Sequence, residues 1–155
     1  MKRILAIILS VLLLIPAAGA EVDQLMLIDY NSCASVFGAQ KLDMAQMKTK
    51  GTTSIFEMPP LVIGFDFAGD VPKTGMIYAN DDASAADFLA SCMAMLYYMG
   101  DMDYSAFGMM LDQYMQIRRG EQSTPYYIGT DAFMIDKSDN FKYCLIYMNN
   151  DLKTN

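Results

Sequence analysis

The stretch "LVIGFDFAGDVPKTGMIYA", residues 61–79, decides the fold, because it holds two β-strands and the turn between them. Apolar side chains alternate with others over residues 61–67, a period of two that is typical of a strand with one buried face. The alternating apolar residues are Leu61, Ile63, Phe65 and Phe67. Residues 68–75 contain glycine, aspartate and proline and predict the turn, and residues 76–79 predict the returning strand. We therefore expect a β-hairpin here.

Two helices are predicted on either side of this hairpin. In residues 25–37 the apolar side chains recur at spacings of three and four, and Gly38 follows where a left-handed C-terminal cap is expected. After the hairpin, Ser84 and Asp87 have the spacing of a capping box, which predicts a helix that runs to about Met99.

A third helix is predicted from about residues 103–105 to Arg118, because cations and then Gly120 mark its end. The residues expected on its inner face are Phe107, Met110, Leu111, Tyr114 and Ile117. The side with Asp112, Gln113 and Gln116 is expected to face outward. Only a few residues join the second and third helices, so we expect an antiparallel pair.

The remaining strands are short. The secondary structure of residues 41–50 is ambiguous, and a short strand is one possibility. A strand is predicted for residues 52–58, which are rich in β-branched and aromatic side chains. A second hairpin is predicted for residues 126–136 and 141–149. The last strand is apolar on both sides, which predicts a central strand covered on both faces. The expected fold is α+β: one domain with an antiparallel sheet of about four to five strands, an N-terminal helix and a central antiparallel helix pair packed on one face.

The first twenty residues have the pattern of a secretory signal peptide. Lys2 and Arg3 precede two apolar runs, and Pro16 is followed by small residues that end at Ala20. The apolar runs are too short for the roughly 20 residues of a membrane anchor. We expect cleavage after Ala20, a single domain in residues 21–155, a secreted or periplasmic location, and no stable membrane association after cleavage.

Composition excludes several classes of function. The chain has a net charge of −7, which becomes −9 without Lys2 and Arg3, and no basic stripe interrupts it, so we expect no nucleic-acid partner. Histidine is absent, which excludes Ser-His-Asp and Cys-His hydrolases and zinc sites built on imidazole. The three cysteines, Cys33, Cys92 and Cys144, permit one disulfide with a spare thiol, or three thiols.

The chain holds 15 methionines, for which three interpretations stand. Ordinary core packing is the favoured one. The first alternative is a Cu(I) site, because Cys92, Met95 and Met99 share one helical face and soft sulfur ligands suit this ion. The second is an adaptable groove for a partner or an apolar ligand, because Met93 lies at the edge of the apolar face of its helix and Met109 lies on the outward side of the third helix.

Carboxylates offer two further sites. Asp101, Asp103 and Asp112 fit part of a calcium-loop spacing, but the loop lacks its glycine, and Asp103 is better explained as a helix N-cap. A small carboxylate-based hydrolase would need two facing acids, for which Asp66 and Asp131 are the candidates.

Paired tyrosines complete the candidates for a binding surface. Tyr97, Tyr126 and Tyr127 are aromatic residues of the kind enriched in recognition surfaces. We predict a non-enzymatic binding or interaction module without a cofactor, with a protein partner, self-association or an apolar ligand as its mode of action.

Overall fold

The fold is α+β, with three helices and a seven-stranded antiparallel sheet in the computed structural model. The structure describes residues 18–100, 104–129, 131–138 and 140–149, without the side chains of 18–23 and 138. The helices are Ala18–Phe37 (α1), Ala85–Met99 (α2) and Tyr104–Arg118 (α3), and a 3-10 turn covers Met44–Gln46. The strands are Met47–Lys50 (β1), Thr53–Met58 (β2), Leu61–Ala68 (β3), Val71–Ala79 (β4), Tyr126–Ile128 (β5), Asp131–Ser138 (β6) and Phe141–Met148 (β7).

The strand order is β1-β2-β3-β4-β7-β6-β5, so the last strand in the sequence lies between β4 and β6 near the middle of the sheet. One face of the sheet forms the core. A row of fully buried side chains crosses five strands on this face, and its members are Phe56, Ile63, Ile77, Leu145 and Ile135. The alternation read from residues 61–67 therefore identifies the core side of β3 correctly.

All three helices pack on this core face. The Tyr30 ring of α1 meets the Phe65 ring of β3 edge to face, with centroids 5.7 Å apart. Met95 of α2 lies against Gly75 of β4, and α3 lies on β6. Burying apolar area of this kind is the main source of stability, at roughly 25 cal/mol per Å².

The helix ends confirm the capping signals. Gly38 follows α1 with a φ of +69°, and Ala39 N–H donates to the Ala34 carbonyl at 2.9 Å, which closes the last turn. At the start of α2 the Ser84 hydroxyl accepts from Asp87 N–H at 3.0 Å and donates to the Asp87 carboxylate at 2.6 Å. The described part of α1 already includes Ala18, before the predicted start at residue 25, and the predicted cleavage point lies within this helix.

The predicted number of four to five strands is wrong. Residues 126–136 form two strands instead of one, because Gly129 adopts a φ of +61° and turns the chain between β5 and β6. Residues 47–50 pair with β2 across a turn at Gly51, whose φ is +63°. Both glycines are turn residues inside stretches whose side chains favour strands.

The turn of the first hairpin is also much shorter than residues 68–75. β3 and β4 pair to Ala68 and Val71, so only Gly69 and Asp70 lie between them, and Gly69 has a φ of +63°. Gly75 is a strand residue. A Cβ atom there would lie 2.4 Å from the Met95 sulfur, so this glycine allows α2 to approach β4 closely.

The predicted helix pair does not form the main helix contact. The sequence predicts that α2 packs against α3, but α2 packs mainly along α1, and α3 mainly on β6. The inner face of α3 also differs: Leu111 is 44% exposed, whereas Gln113 is fully buried. Gln113 turns inward because its amide oxygen accepts from Ile135 N–H at 2.6 Å and its amide nitrogen donates to the Thr124 carbonyl.

Candidate interaction surface

The second face of the sheet is the main candidate for a functional site, and we call it the open face. No helix among residues 18–100, 104–129, 131–138 and 140–149 packs on it, since all three lie on the core face. Its central row crosses five strands in register, and we call it the apolar row. Its members are Ile55, Gly64, Met76, Ile146 and Met134. None of them carries a charge.

The apolar row is continuous across its glycine. A Cβ atom at Gly64 would lie 3.3 Å from the Met76 methyl group and 3.9 Å from the Ile55 side chain. Both neighbouring side chains therefore lean over the glycine and close the gap. The result is an unbroken apolar strip about five strands wide, or roughly 24 Å at the usual strand spacing.

Two flanking rows extend the open face. One contains Glu57, Val62, Tyr78, Cys144 and Asp136. The other contains Thr53, Asp66, Thr74, Met148, Ala132 and Tyr127. In the first of these rows the carboxylates occupy the two ends, so the charges lie at the margin of the face.

Charged side chains at the margin of the open face form ion pairs or hydrogen bonds. Lys48 and Glu57 form an ion pair at 2.5 Å at the β1–β2 edge. The Asp66 carboxylate accepts from the Thr52 and Thr53 hydroxyls at 2.6 and 3.2 Å. An exposed ion pair of this kind contributes less than about 1 kcal/mol to stability. Lys48 lies in register with Ile55 at the β1 end of the apolar row, so this ion pair marks the edge of the row.

The ionisable groups near the centre of the open face stay neutral at ordinary pH. Burial raises the pKa of the Cys144 thiol, and the neighbouring Asp136 carboxylate raises it further. Burial also raises the pKa of Tyr78, with a smaller contribution from Cys144. The open face therefore presents a protonated thiol and a protonated phenol. Cys33, Cys92 and Cys144 are all free cysteines, which decides against a disulfide among them.

A central row without charge is unusual on the open face of such a sheet. Antiparallel sheets that expose one face usually alternate apolar residues toward the core with polar residues toward water. The prediction that β7 is covered on both faces is wrong for the described part of the chain, although β7 is central as expected. Ile146 and Cys144 are half-buried by their neighbours, and Met148 is 44% exposed.

The five residues predicted to bind a partner do not come together. Met93 and Met109 are half-buried and pack against the core from α2 and α3. Tyr97 is half exposed, with its ring 5.7 Å from Phe37 of α1. Tyr126 faces the core side, where its hydroxyl donates to the Asp112 carboxylate at 3.2 Å. Only Tyr127, 69% exposed, borders the open face.

The residues of the proposed copper site belong to the core. Cys92 and Met95 have no exposed surface and Met99 has 7%. Burial raises the pKa of the Cys92 thiol well above its usual value, so this thiol is held protonated. In the described residues no group of three or more His, Cys, Asp or Glu side chains is placed to hold a metal ion.

The two candidate acids of the hydrolase alternative point to opposite sides of the sheet. Asp66 lies on the open face, whereas Asp131 lies on the core face and accepts a hydrogen bond from the Tyr147 hydroxyl. They do not face one cleft. The proposed calcium ligands Asp101 and Asp103 lie outside the described residues.

Neither known families nor known structures identify the site. No protein family, no curated protein and no solved structure matches the chain. Among the described helices, none combines the length and the apolar character that crossing a bilayer requires.

Sequence reasoning overlooked most of the open face. Ile55, Val62, Met76 and Met134 each sit in a strand that also supplies core residues, so their role depends on which side of the sheet lacks helices. The available signal was the apolar character of both sides of the last strand.

Proposed function

We propose that the protein is an exported, non-enzymatic interaction module that self-associates through the open face of its sheet. The apolar row carries this proposal. Its members reach across five strands with no charge, and no described helix packs over them. The side chains of the row are partly exposed, and large apolar patches at the surface of soluble proteins mark interaction sites.

A second copy of the chain is the partner that best fits this surface. Two sheets pack face to face at about 10 Å when both present flat apolar faces, and each copy supplies such a face. The chain's net charge of −7 opposes association. However, Glu57 and Asp136 lie at the ends of their row, so the apolar row itself buries no carboxylate. Asp66 lies in the other flanking row, where its carboxylate is already hydrogen-bonded to two threonine hydroxyls.

The size of the face sets the expected strength of the dimer. Three rows across five strands cover roughly 500 Å² of sheet, or about 1,000 Å² for both partners. This is near the lower limit of specific protein interfaces. We therefore expect a concentration-dependent dimer with a dissociation constant on the order of 10–100 µM.

Changing Ile146 to lysine is expected to abolish this dimer. The substitution places two like charges in the centre of the symmetric contact, and each must lose its hydration. Sedimentation velocity on protein produced from the full chain, between about 5 and 500 µM, measures the effect. The wild type should shift toward dimer over this range, and I146K should remain a monomer with an unchanged far-UV spectrum.

Val36→Lys is the matched control, because it adds the same charge at a 70% exposed apolar position on α1. V36K should dimerise like the wild type. Loss of the dimer in V36K but not in I146K would place the interface on α1 and overturn the proposal. A wild type that stays monomeric at 500 µM would also overturn it, leaving a different protein or an apolar ligand as the occupant.

Export is the second part of the proposal, and it follows from the signal-like first twenty residues. The protein recovered outside the cytoplasm should begin at Glu21, so its intact mass should lack the first twenty residues. Intact-mass spectrometry of that fraction tests this directly. A released form that retains Met1 would contradict cleavage, and retention of all the protein in the cytoplasm would contradict export.

A further inference from the structure

We propose that a cavity at one end of the sheet binds a small organic anion. The cavity has a volume of about 380 Å³ and lies between the end of α3, the residues after β4 and the β6–β7 turn. Arg118, Lys137 and Lys142 are its cationic lining residues, and Asp81 is the only carboxylate among its described lining residues. The cavity is separate from the apolar row, so it does not depend on self-association.

The charge of this cavity is opposite to that of the whole chain. Lysine and arginine number 11 against 18 aspartates and glutamates, yet three of those cations line one cavity. They come from positions 118, 137 and 142, which only the fold brings together. Like charges gathered without paired acids repel one another, and a bound anion would relieve that repulsion.

These cations are not paired with acids in the described part of the chain. The two ion pairs there are Lys48–Glu57 and Arg119–Glu121. Lys142 instead donates to the main-chain carbonyls of Asp81 and Ala83, at 3.2 and 3.1 Å. These carbonyls hold the ammonium group in place without cancelling its charge. Lys142 is therefore positioned in advance for an anion.

The lining also includes apolar surface. Phe141, Tyr143 and Ile117 contribute to the same cavity, and the Lys142 ammonium lies 5.9 Å from the centre of the Tyr143 ring. The volume is at the lower end of the range for small-molecule sites. An anionic group beside the cations and a single ring or short apolar body beside Phe141 and Tyr143 would fill it.

A polymeric anion does not fit these observations. Binding to a polyphosphate chain requires a series of cations along a surface, and the net charge of −7 repels such a chain. A carboxylate and a phosphate ester remain the two chemistries that three cations would recognise. Guanidinium and ammonium groups donate hydrogen bonds to the oxygens of both.

An NMR titration of the ¹⁵N-labelled protein tests this inference. The probes are phenyl phosphate, phenylacetate, inorganic phosphate and neutral benzyl alcohol. We expect phenyl phosphate or phenylacetate, or both, to shift the amide signals of residues 117–118 and 141–143 with a dissociation constant of about 1 mM or lower. The preferred probe identifies the anionic group. Inorganic phosphate should bind at least about threefold more weakly because it makes no apolar contact.

Arg118→Gln combined with Lys137→Gln should weaken binding by about tenfold, since each change removes a charged hydrogen-bond donor. Both side chains are exposed, and glutamine at position 118 keeps an amide that can replace the Arg118 hydrogen bond to Tyr114, so the variant should fold normally. Arg119→Gln is the matched control: it removes the same charge from the next residue, which is paired with Glu121. It should change affinity less than twofold.

Three results would overturn the inference. They are no binding of either organic anion at 10 mM, equal binding of benzyl alcohol, and equal affinity in the double variant and the wild type. Equal affinity for inorganic phosphate and phenyl phosphate would likewise contradict a site for organic anions.

Discussion

Replacing Gln113 with leucine is expected to lower the free energy of unfolding by about 2–4 kcal/mol. Gln113 has no exposed surface although it is polar, and its amide bridges two parts of the backbone. The oxygen accepts from Ile135 N–H at 2.6 Å, and the nitrogen donates to the Thr124 carbonyl. Leucine fills a similar volume but leaves the buried Ile135 N–H unpaired.

The expected cost is large because of where Ile135 lies. β5 pairs with β6 only from Asp131 to Phe133, so the outer edge of β6 has no strand partner at Ile135. The Gln113 amide oxygen accepts the hydrogen bond from Ile135 N–H, and the Ser123 hydroxyl donates to the Ile135 carbonyl. These two side chains protect the exposed edge of β6, which would otherwise be open to pairing with another chain.

Urea denaturation at pH 7 measures the effect, with Gln116→Leu as the matched control. Gln116 is about one turn further along α3, and its side-chain amide donates to the Asp112 carboxylate at 3.0 Å, near the surface. Q116L should cost less than about 1 kcal/mol. Equal losses in the two variants would contradict a bridging role for Gln113. A Q113L variant that also aggregates would support edge protection.

The second large effect is expected at alkaline pH. Burial raises the pKa of Cys92 above the ordinary value of 9.0, and it raises the pKa of Tyr30 above 10.0. Both side chains are fully buried, and the Tyr30 hydroxyl has no hydrogen-bond partner among the described residues. The folded protein therefore resists losing protons that the unfolded chain releases readily.

The sign follows from proton linkage. A group whose pKa is raised by folding contributes its full stability below the pKa of the unfolded chain and loses it as pH rises above that value. Each such group lowers the free energy of unfolding by about 1.4 kcal/mol per pH unit. Between pH 9 and 11 we expect stability to fall continuously, with Cys92 contributing from about pH 9 and Tyr30 from about pH 10.

Urea midpoints at half-unit steps from pH 8 to pH 11 measure this slope. Cys92→Ala is the diagnostic variant, because it removes the fully buried thiol and keeps the other groups whose pKa is raised: between pH 9 and 10 its slope should be flatter than that of the wild type by up to about 1.4 kcal/mol per unit. Its absolute stability will fall from lost packing, and the slope is unaffected by that loss. A wild type whose stability is constant to pH 10.5 would contradict the prediction.

Local signals in the sequence predicted the C-terminal ends of the three helices and the start of α2 well. Gly38, the Ser84 capping box and Gly120 each act within one turn of the chain, so their effect does not depend on distant residues. The alternation of residues 61–67 likewise identified a strand and its buried side. The fold class followed from the order of these elements.

Glycines were the main source of error in the sheet. Gly51 and Gly129 reverse the chain within stretches rich in strand-forming residues, which raised the number of strands to seven. Gly75 resembled a turn glycine, but it is required by the Met95 side chain of a helix that comes twenty residues later in the chain. A sequence shows that a glycine is present and does not show which distant atom lies beside it.

The candidate sites depended even more on tertiary structure. Met93, Met109 and the tyrosines were chosen because of their place on separate elements, and the fold does not gather them. The apolar row is assembled from β2, β3, β4, β7 and β6, and the three cations of the cavity come from α3, β6 and β7. The fold brings these separate elements together, Arg118 of α3 beside the β6–β7 hairpin included.

By itself, the sequence determined that the chain is acidic and lacks histidine, because these are properties of composition. It also determined the signal-like start, the ends of helices and the strands with one apolar side, because these depend on neighbouring residues. Only the tertiary structure decided which side of the sheet the helices cover and which charges meet at its end. The physical reason is that a strand with two apolar sides can bury either one. The register of the strands and the packing of Tyr30, Met95 and Gln113 against them make that choice.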